Sequence, residues 1–145
     1  MSNIRHCKDF NWDGVDVLAY KDGGPYKNVT RQVLFEGKDT LPVQWRYFEV
    51  APGGHSTLER HEHLHNVLIL RGRGECMVGG EVQEIGEHDL IHVPHLTWHQ
   101  FRAAADAPLG FLCLVHETRD KPQLPAPDDL AQMRRNPAVA KFIRP

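Results

Sequence analysis

The middle of the chain is a series of short segments rich in β-branched and aromatic residues, most of them bounded by glycine or proline. These segments occupy residues 43–51, 66–72, 75–85, 89–94, 98–103 and 109–117. Such lengths and compositions are typical of strands, with turns between neighbours. Gly79 and Gly80 divide one segment in two, which predicts a tight hairpin with a primed turn. The pattern therefore predicts an all-β fold, built as an antiparallel sandwich or barrel.

The two ends of the chain follow different patterns. Residues 1–30 are rich in Lys, Asp, Gly and Asn with weak periodicity, which predicts an irregular arm over the core. Residues 127–143 carry Asp early, Arg later and apolar residues at helical spacing, which predicts one or two short helices. Because 145 residues suffice for one domain with a substantial core, we expect a single domain over residues 1–145. Its barrel core is expected over about residues 30–117.

Charge and composition narrow the classes of partner. The formal net charge is −2 and the isoelectric point is near 6.5. The composition therefore gives no sign of the basic surface that binding of nucleic acid requires. No apolar run approaches the roughly 18 residues of a membrane-spanning helix, and the N-terminus lacks a signal-peptide pattern. Cys7, Cys76 and Cys113 are odd in number and widely spaced, which indicates reduced thiols. We therefore predict a cytoplasmic protein with a small-molecule substrate and no nucleic-acid or membrane partner.

The chain contains ten histidines, three of them within residues 61–65. Read as a helix, this stretch matches the zinc-peptidase pattern H-E-x-x-H, with His61 and His65 on one face and Glu62 as general base. Ser56 and Glu59 would form the capping box at the start of that helix. This interpretation predicts a minimal zinc peptidase.

A strand interpretation sorts the same residues differently. Residues 67–70 form a continuous apolar block between a predicted strand and the glycine hairpin, which favours strands. Side chains two apart on a strand share a face, so Glu59 and His61 point together. A turn through residues 62–64 returns His65 to the same cavity. We favour the strands and keep the helix as the alternative.

The spacing from Gly53 to Gly72 resembles the first motif of the cupin family, which is a glycine, five residues, H-x-H, three or four residues, a glutamate, six residues and a glycine. Here five residues separate Gly53 from Glu59-x-His61, three separate that pair from His65, and six separate His65 from Gly72. The chemistry departs at two positions, because Glu59 stands for the first histidine and His65 for the glutamate. The resemblance implies a jelly-roll barrel, also called a double-stranded β-helix, that binds a metal.

A second stretch resembles the other cupin motif, a glycine, five residues, proline, x-Gly-x-x-His and then asparagine. Pro94 and His99 match, whereas His88, Leu96 and Ala103 replace the two glycines and the asparagine. The two motifs span residues 53–99, and the strand pattern extends the resemblance to about residue 115. The ligand set that the resemblance implies is Glu59, His61, His65 and His99.

Such a donor set indicates a metal with catalytic capacity. Three imidazoles and a carboxylate, without a nearby thiolate, suit Mn²⁺, Fe²⁺, Ni²⁺, Co²⁺ or Zn²⁺. Four protein ligands on a six-coordinate ion leave two positions open, as catalytic sites require. We favour a metal-dependent hydrolase or lyase acting on a small polar organic acid or heterocycle. The alternatives are an Fe- or Mn-dependent dioxygenase acting on a small enolisable substrate, and a non-catalytic barrel that binds a small ligand.

Two further residues are candidates for a catalytic role. Arg46 has the geometry to bind a substrate carboxylate through paired hydrogen bonds, against the alternative of a solvated arginine. His63 lies in the predicted turn, where it is a candidate catalytic residue, a replacement for Glu59 as ligand, or an exposed residue at the cavity mouth. The resemblance also implies a homodimer, because small cupins commonly pair sheets or exchange edge strands.

Overall fold

The protein is described by a computed structural model that covers residues 3–19 and 25–145. Within these residues, ten strands precede two short helices. The strands are β1 (Cys7–Lys8), β2 (Asn11–Trp12), β3 (Leu18–Ala19), β4 (Lys27–Phe35), β5 (Val43–His55), β6 (His65–Val78), β7 (Glu81–Gly86), β8 (Leu90–Val93), β9 (His99–Ala103) and β10 (Leu109–His116). The helices are α1 (Pro127–Met133) and α2 (Pro137–Phe142).

Antiparallel pairing closes four strands into a barrel. β10 pairs with β5 on one side and with β6 on the other. β9 pairs with β6 and reaches β5 through His55 and Arg102, which completes the ring. β4 extends the sheet beyond β5, while β7 and β8 pair with the two halves of β6. The prediction of an antiparallel all-β jelly-roll barrel is confirmed.

Alternation along the strands separates the barrel interior from its outer surface. In β10, Phe111, Cys113 and Val115 are buried and the residues between them are half-buried. In β6, His65 and Val67 alternate in the same way with partly or fully exposed neighbours. A strand has a side-chain period of two, so Arg46, Cys113 and Val67, which pair across β5, β10 and β6, send their side chains to the same inward face. Each fully buried apolar side chain contributes roughly 1.5–3 kcal/mol to folding.

The N-terminal arm covers one outer face of the barrel. Phe10 and Trp12 pack on Tyr47, with ring centroids 5.7 and 5.0 Å apart, and Tyr47 is 1% exposed. The side-chain amide of Gln32 donates to the carbonyl oxygen of Phe10 at 2.8 Å. The predicted arm is thus present where it is described, while residues 1–2 and 20–24 of it lie outside the described residues.

The C-terminal helices cover another outer face. Val139 and Phe142 of α2 are buried against Leu58 and Met77. The chain is fastened beyond α2 by Gln100, whose side chain donates to the Arg144 carbonyl at 2.7 Å and accepts from the Arg144 amide at 2.9 Å. The predicted helices are therefore confirmed, and they pack on the barrel away from its interior.

Gly72 and Gly79 occupy positions where a side chain is strained. Gly72 has φ of 71°, and a Cβ there would lie 1.8 Å from the carbonyl oxygen of Pro108. Gly79 has φ of 64° in the two-residue turn that joins β6 to β7, as a primed turn requires. The predicted glycine hairpin is confirmed.

The structure departs from the sequence prediction at two places. The long strand β4 was not predicted, because Arg31 on its inward face and Gln32 interrupt the apolar alternation. Residues 56–64 form no helix, so the zinc-peptidase interpretation is wrong. The Ser56 hydroxyl accepts from the Phe101 amide instead of capping a helix. The backbone of Glu59 pairs instead with that of His99.

Among the described residues, no helix is both long enough and apolar enough to cross a membrane.

Candidate metal centre and its cavity

Three histidines from distant parts of the chain meet inside the barrel. His61 lies in the loop before β6, His65 begins β6 and His99 begins β9. One ligand atom from each lies within 4.8 Å of those of the other two. The ring centroids form a nearly equilateral triangle with sides of 5.0, 4.9 and 5.0 Å. The structure thus brings together three of the four residues that the cupin resemblance implied as ligands.

Hydrogen bonds at the outer nitrogens orient two of the rings. Nδ1 of His61 bonds to the carbonyl oxygen of His63 at 2.5 Å, and Nδ1 of His99 to that of Thr97 at 2.9 Å. A carbonyl oxygen only accepts, so each Nδ1 carries the proton and each Nε2 keeps its lone pair. A backbone carbonyl on the outer nitrogen is the usual support of a metal-binding histidine.

Two of the inner nitrogens have no polar partner among the residues that the structure describes. Nε2 of His65 and Nε2 of His99 are buried and form no hydrogen bond with any described residue. Leaving a buried polar atom unsatisfied costs about 1–3 kcal/mol, so such atoms call for a partner. Unprotonated imidazole nitrogens facing one another are suited to a divalent metal ion.

Burial keeps these imidazoles neutral. Removal from water lowers the pKa of all three histidines, that of His65 to about 2 and that of His99 to about 4. The neighbouring imidazoles lower these pKa values further, because they disfavour a second positive charge. A metal binds the neutral form, so no proton competes for the site near pH 7.

Glu59 lines the same cavity but is not one of the three side chains whose ligand atoms cluster. Its amide donates to the His99 carbonyl at 3.2 Å, and the His99 amide donates to its carbonyl at 3.0 Å. Burial raises the pKa of Glu59 to about 7, while the charge of Arg46 opposes the rise. A divalent cation nearby would favour the ionised carboxylate.

His63 forms part of the cavity wall. Its ring stacks on that of His61 with centroids 3.7 Å apart and planes 3° from parallel. Its Nδ1 lies 2.6 Å from a carboxylate oxygen of Asp120, which also accepts from the amides of Glu62 and His63. Burial opposes ionisation of Asp120, whereas these hydrogen bonds favour it. The hydrogen bonds outweigh burial, so the pKa of Asp120 is lowered. The ionised carboxylate fixes the ring of His63.

The cavity measures about 560 Å³ and has an apolar wall. Phe101 and Phe48 stack on Phe111, with ring centroids 4.7 and 5.6 Å apart, and all three line the cavity. This volume lies within the range of small-molecule sites. Polar groups face the aromatic wall, so one ligand is able to contact both.

A thiol lies beside the histidines. The sulfur of Cys113 is 3.0 Å from Nδ1 of His65 and 3.4 Å from a guanidinium nitrogen of Arg46. Cys113 and Arg46 are paired residues of β10 and β5, and both line the cavity. The sequence analysis did not assign Cys113 to the site. The alternation of the last predicted strand could have indicated it, because Cys113 lies two residues from Phe111 and from Val115 and so shares their inward face.

The mouth of the cavity carries three further cations that the sequence analysis also missed. Arg31 projects from β4, and Arg119 and Lys121 follow β10. Arg31 lies in the strand that was not predicted, and the segment after residue 117 showed no periodicity.

Two substitutions in the second motif retain the backbone shape that glycine permits. His88 has φ of 73° and Leu96 has φ of 49°, both in the left-handed region. The Leu96 amide donates to the His61 carbonyl at 2.8 Å, so the loop before β9 lies against the cluster of histidines. His92 and His95 are exposed.

Comparisons with known proteins agree with this architecture. A family model described as the cupin domain matches residues 46–115. A curated protein of Rhodospirillum rubrum, named 1-methylthio-D-xylulose 5-phosphate methylsulfurylase, is 57% identical over 136 residues, which are 92% of this chain and 86% of the relative.

Two solved structures superpose over almost the whole chain. A cupin 2 conserved barrel domain protein from Rhodopseudomonas palustris is 48% identical with a TM-score of 0.93, covering 98% of this chain and 99% of its own. A cupin-2 domain protein from Rhodospirillum rubrum is 56% identical with a TM-score of 0.89, and the match covers 93% of this chain and 91% of that protein.

Proposed function

Since this chain belongs to the cupin family, we propose that it is a metal-dependent enzyme that removes the methylthio group from a 1-methylthio-ketopentose 5-phosphate. The observation that carries the proposal is a thiol, Cys113, bonded to one of three clustered histidines inside a cavity of ligand size. The methylsulfurylase name of the Rhodospirillum rubrum relative supports the choice of substrate and reaction. This reaction differs from hydrolysis, elimination and dioxygenation, the classes expected from the sequence.

We assign the metal to His61, His65 and His99, with Glu59 as the fourth ligand. The two buried Nε2 atoms without partners among the described residues support this assignment. Mn²⁺, Fe²⁺, Ni²⁺, Co²⁺ and Zn²⁺ all suit such donors. When bound, the ion supplies Lewis acidity toward the carbonyl oxygen of a ketose.

Cys113 is the acceptor of the methylthio group in this proposal. Its thiolate attacks the substrate sulfur, and the bond from that sulfur to C1 breaks with its electron pair left on the ketone as an enolate. Cys113 then carries a methyl disulfide. The thiolate of an external low-molecular-weight thiol attacks the methylthio sulfur, leaves with it as a mixed disulfide and releases the Cys113 thiolate. Burial raises the pKa of the Cys113 thiol, and the cationic Arg46 beside the sulfur opposes that rise and so helps the thiolate to form.

His63 delivers the proton that C1 requires. Its Nδ1 bonds to the ionised Asp120, which leaves Nε2 to exchange a proton with the substrate. Protonation at C1 converts the enolate to a 1-deoxyketose. Arg46 has a second role as a donor to substrate oxygens, because it lines the cavity next to the thiol.

A turnover assay tests the proposal. The protein loaded with each candidate metal is mixed with 1-methylthio-D-xylulose 5-phosphate and an external thiol, and the 1-deoxyketose is followed by NMR. We expect metal-dependent turnover at the same rate with and without oxygen, lost in Cys113→Ser and kept in Cys76→Ser. Consumption of oxygen with substrate would support a dioxygenase instead, and no turnover with any of the five metals would refute the proposed reaction.

A further inference from the structure

Three cations line the mouth of the cavity from two separate parts of the chain. Arg31 is on the inward face of β4, paired with Phe48 of β5, while Arg119 and Lys121 lie in the segment after β10. All three line the same cavity as His61, His65 and His99. The overall charge of the chain is −2, so this basic concentration is local.

Their charges are not neutralised by ion pairs. Over residues 3–19 and 25–145, the ion pairs join His63 to Asp120, Arg71 to Glu49 and Arg73 to Asp106, and none includes Arg31, Arg119 or Lys121. Nε of Arg31 is moreover buried without a hydrogen-bond partner among those residues.

The cations also destabilise one another. Burial lowers the pKa of the Arg119 guanidinium, and the positive charges of Arg46 and Arg31 lower it further, with smaller opposing effects from Cys113 and Glu36. Mutual repulsion of this kind is relieved when an anion binds between the charges. Glu117 borders the mouth as well, but it is exposed, and Asp120 is already engaged by His63 and two backbone amides.

We propose that Arg31, Arg119 and Lys121 form a phosphate-binding subsite at the mouth of the cavity. This inference rests on the proposed function, because it identifies where the 5-phosphate of that substrate binds. Planar guanidinium groups donate paired hydrogen bonds to phosphate, and lysine adds a compact charge. In a ketopentose 5-phosphate the carbonyl and the phosphate lie at opposite ends of the carbon chain. The histidines and these cations line the same cavity, so one ligand is able to contact both.

The test measures binding of unreactive ligands to the Mn²⁺-loaded protein by calorimetry. D-Xylulose 5-phosphate is the probe, with D-xylulose and inorganic phosphate as separate ligands. We expect Arg31→Gln and Arg119→Gln each to weaken xylulose 5-phosphate binding about tenfold or more, and to leave xylulose binding unchanged. Arg135→Gln is the matched control, because it removes the same charge from an exposed position in the C-terminal segment. Arg119→Lys retains the charge without the paired donors and should give an intermediate loss.

The outcomes separate this proposal from the proposed function. Equal affinity of the unmutated protein for xylulose and for xylulose 5-phosphate would overturn the subsite. Equal affinity of Arg31→Gln, Arg119→Gln and Arg135→Gln for xylulose 5-phosphate would overturn it as well. Turnover of the methylthio sugar phosphate with an unchanged KM in both arginine variants also overturns it, while leaving the proposed function standing. Arginine-dependent binding without any turnover supports the subsite and counts against the reaction alone.

Discussion

The sulfur of Cys113 lies 3.0 Å from Nδ1 of His65, on the opposite side of the ring from the unpartnered Nε2. One imidazole therefore contacts the thiol through one nitrogen and offers the other to a metal ion. A metal bound at Nε2 would withdraw electron density from the ring and would strengthen Nδ1 as a hydrogen-bond donor to the sulfur. The ring of His65 thus connects the thiol to the cluster of histidines.

The first prediction concerns the covalent state of Cys113. Without an external thiol, the protein should stop after one turnover and retain one methylthio group per chain, because the methyl disulfide has no reductant. Intact-protein mass spectrometry measures this adduct, and peptide mapping locates it. Cys113→Ser should form no adduct and lose turnover by a factor on the order of 10³ or more.

Cys76→Ser is the matched control, since Cys76 is buried in the core with a pKa raised by burial to about 11 and does not line the cavity. It should form the adduct as the unmutated protein does. An adduct on Cys7, or multiple turnovers without thiol, would contradict the role of Cys113.

The second prediction concerns the metal. His65→Ala and His99→Ala each remove an inward-facing nitrogen, so divalent metal affinity should fall at least about 100-fold. Metal content after dialysis, measured by inductively coupled plasma spectrometry, tests this. His92→Ala is the control because His92 is exposed and bonds to Asn66. Equal metal content in all three variants would contradict the prediction, because it would mean that the ion does not bind to His65 and His99.

The third prediction concerns Glu59 in the metal-free protein. Burial raises its pKa from 4.5 to about 7, so the folded state holds a proton that the unfolded state releases between these pH values. The stabilisation from that proton is present below pH 4.5 and is lost as the pH rises through about 7. The free energy of unfolding should therefore fall between pH 5 and pH 8 by up to about 3 kcal/mol, and Glu59→Gln should remove this fall. Urea unfolding at each pH measures it, and an identical fall in the variant would contradict the assignment.

The fourth prediction distinguishes Glu59 from His63 as the remaining metal ligand. If Glu59 is the ligand, Glu59→Gln should weaken metal binding about tenfold or more, whereas His63→Ala should retain the metal and lose turnover. Titration of the metal-free variants with Mn²⁺ measures both affinities. The reverse pattern would make His63 the ligand.

The fifth prediction compares two glycines with similar backbone conformations. Gly53 and Gly72 have φ of 75° and 71°, but a Cβ at Gly53 meets nothing within 4 Å, whereas one at Gly72 lies 1.8 Å from the Pro108 carbonyl oxygen. Gly53→Ala should cost about 1–2 kcal/mol from backbone strain alone. Gly72→Ala should cost at least about 3 kcal/mol, because backbone atoms must also move. Equal midpoints of urea unfolding for Gly53→Ala and Gly72→Ala would contradict this prediction, because they would show that the backbone near Pro108 moves without cost.

Local pattern was sufficient to predict much of the fold. Strands β5 to β10 and the glycine hairpin follow from residue type and alternation, which act over a few neighbours. Gly53, His61, His65 and Gly72 likewise lie in one continuous stretch, from the end of β5 through the following loop into β6. β4 escaped prediction because Arg31 faces the cavity, so a cation stands where an apolar residue would mark a strand.

The sequence by itself determined the strand pattern, the absence of a disulfide framework and the histidines capable of binding a metal. Only the tertiary structure decided which other side chains share the cavity with them. Arg46 and Cys113 are 67 residues apart, yet barrel closure pairs their strands and turns both side chains inward. Arg31 meets the cavity because β4 pairs with β5, and Arg119 because the segment after β10 lies along the same cavity. Register between distant strands is set by closure of the whole sheet and by burial of one face, and no local stretch of sequence encodes it.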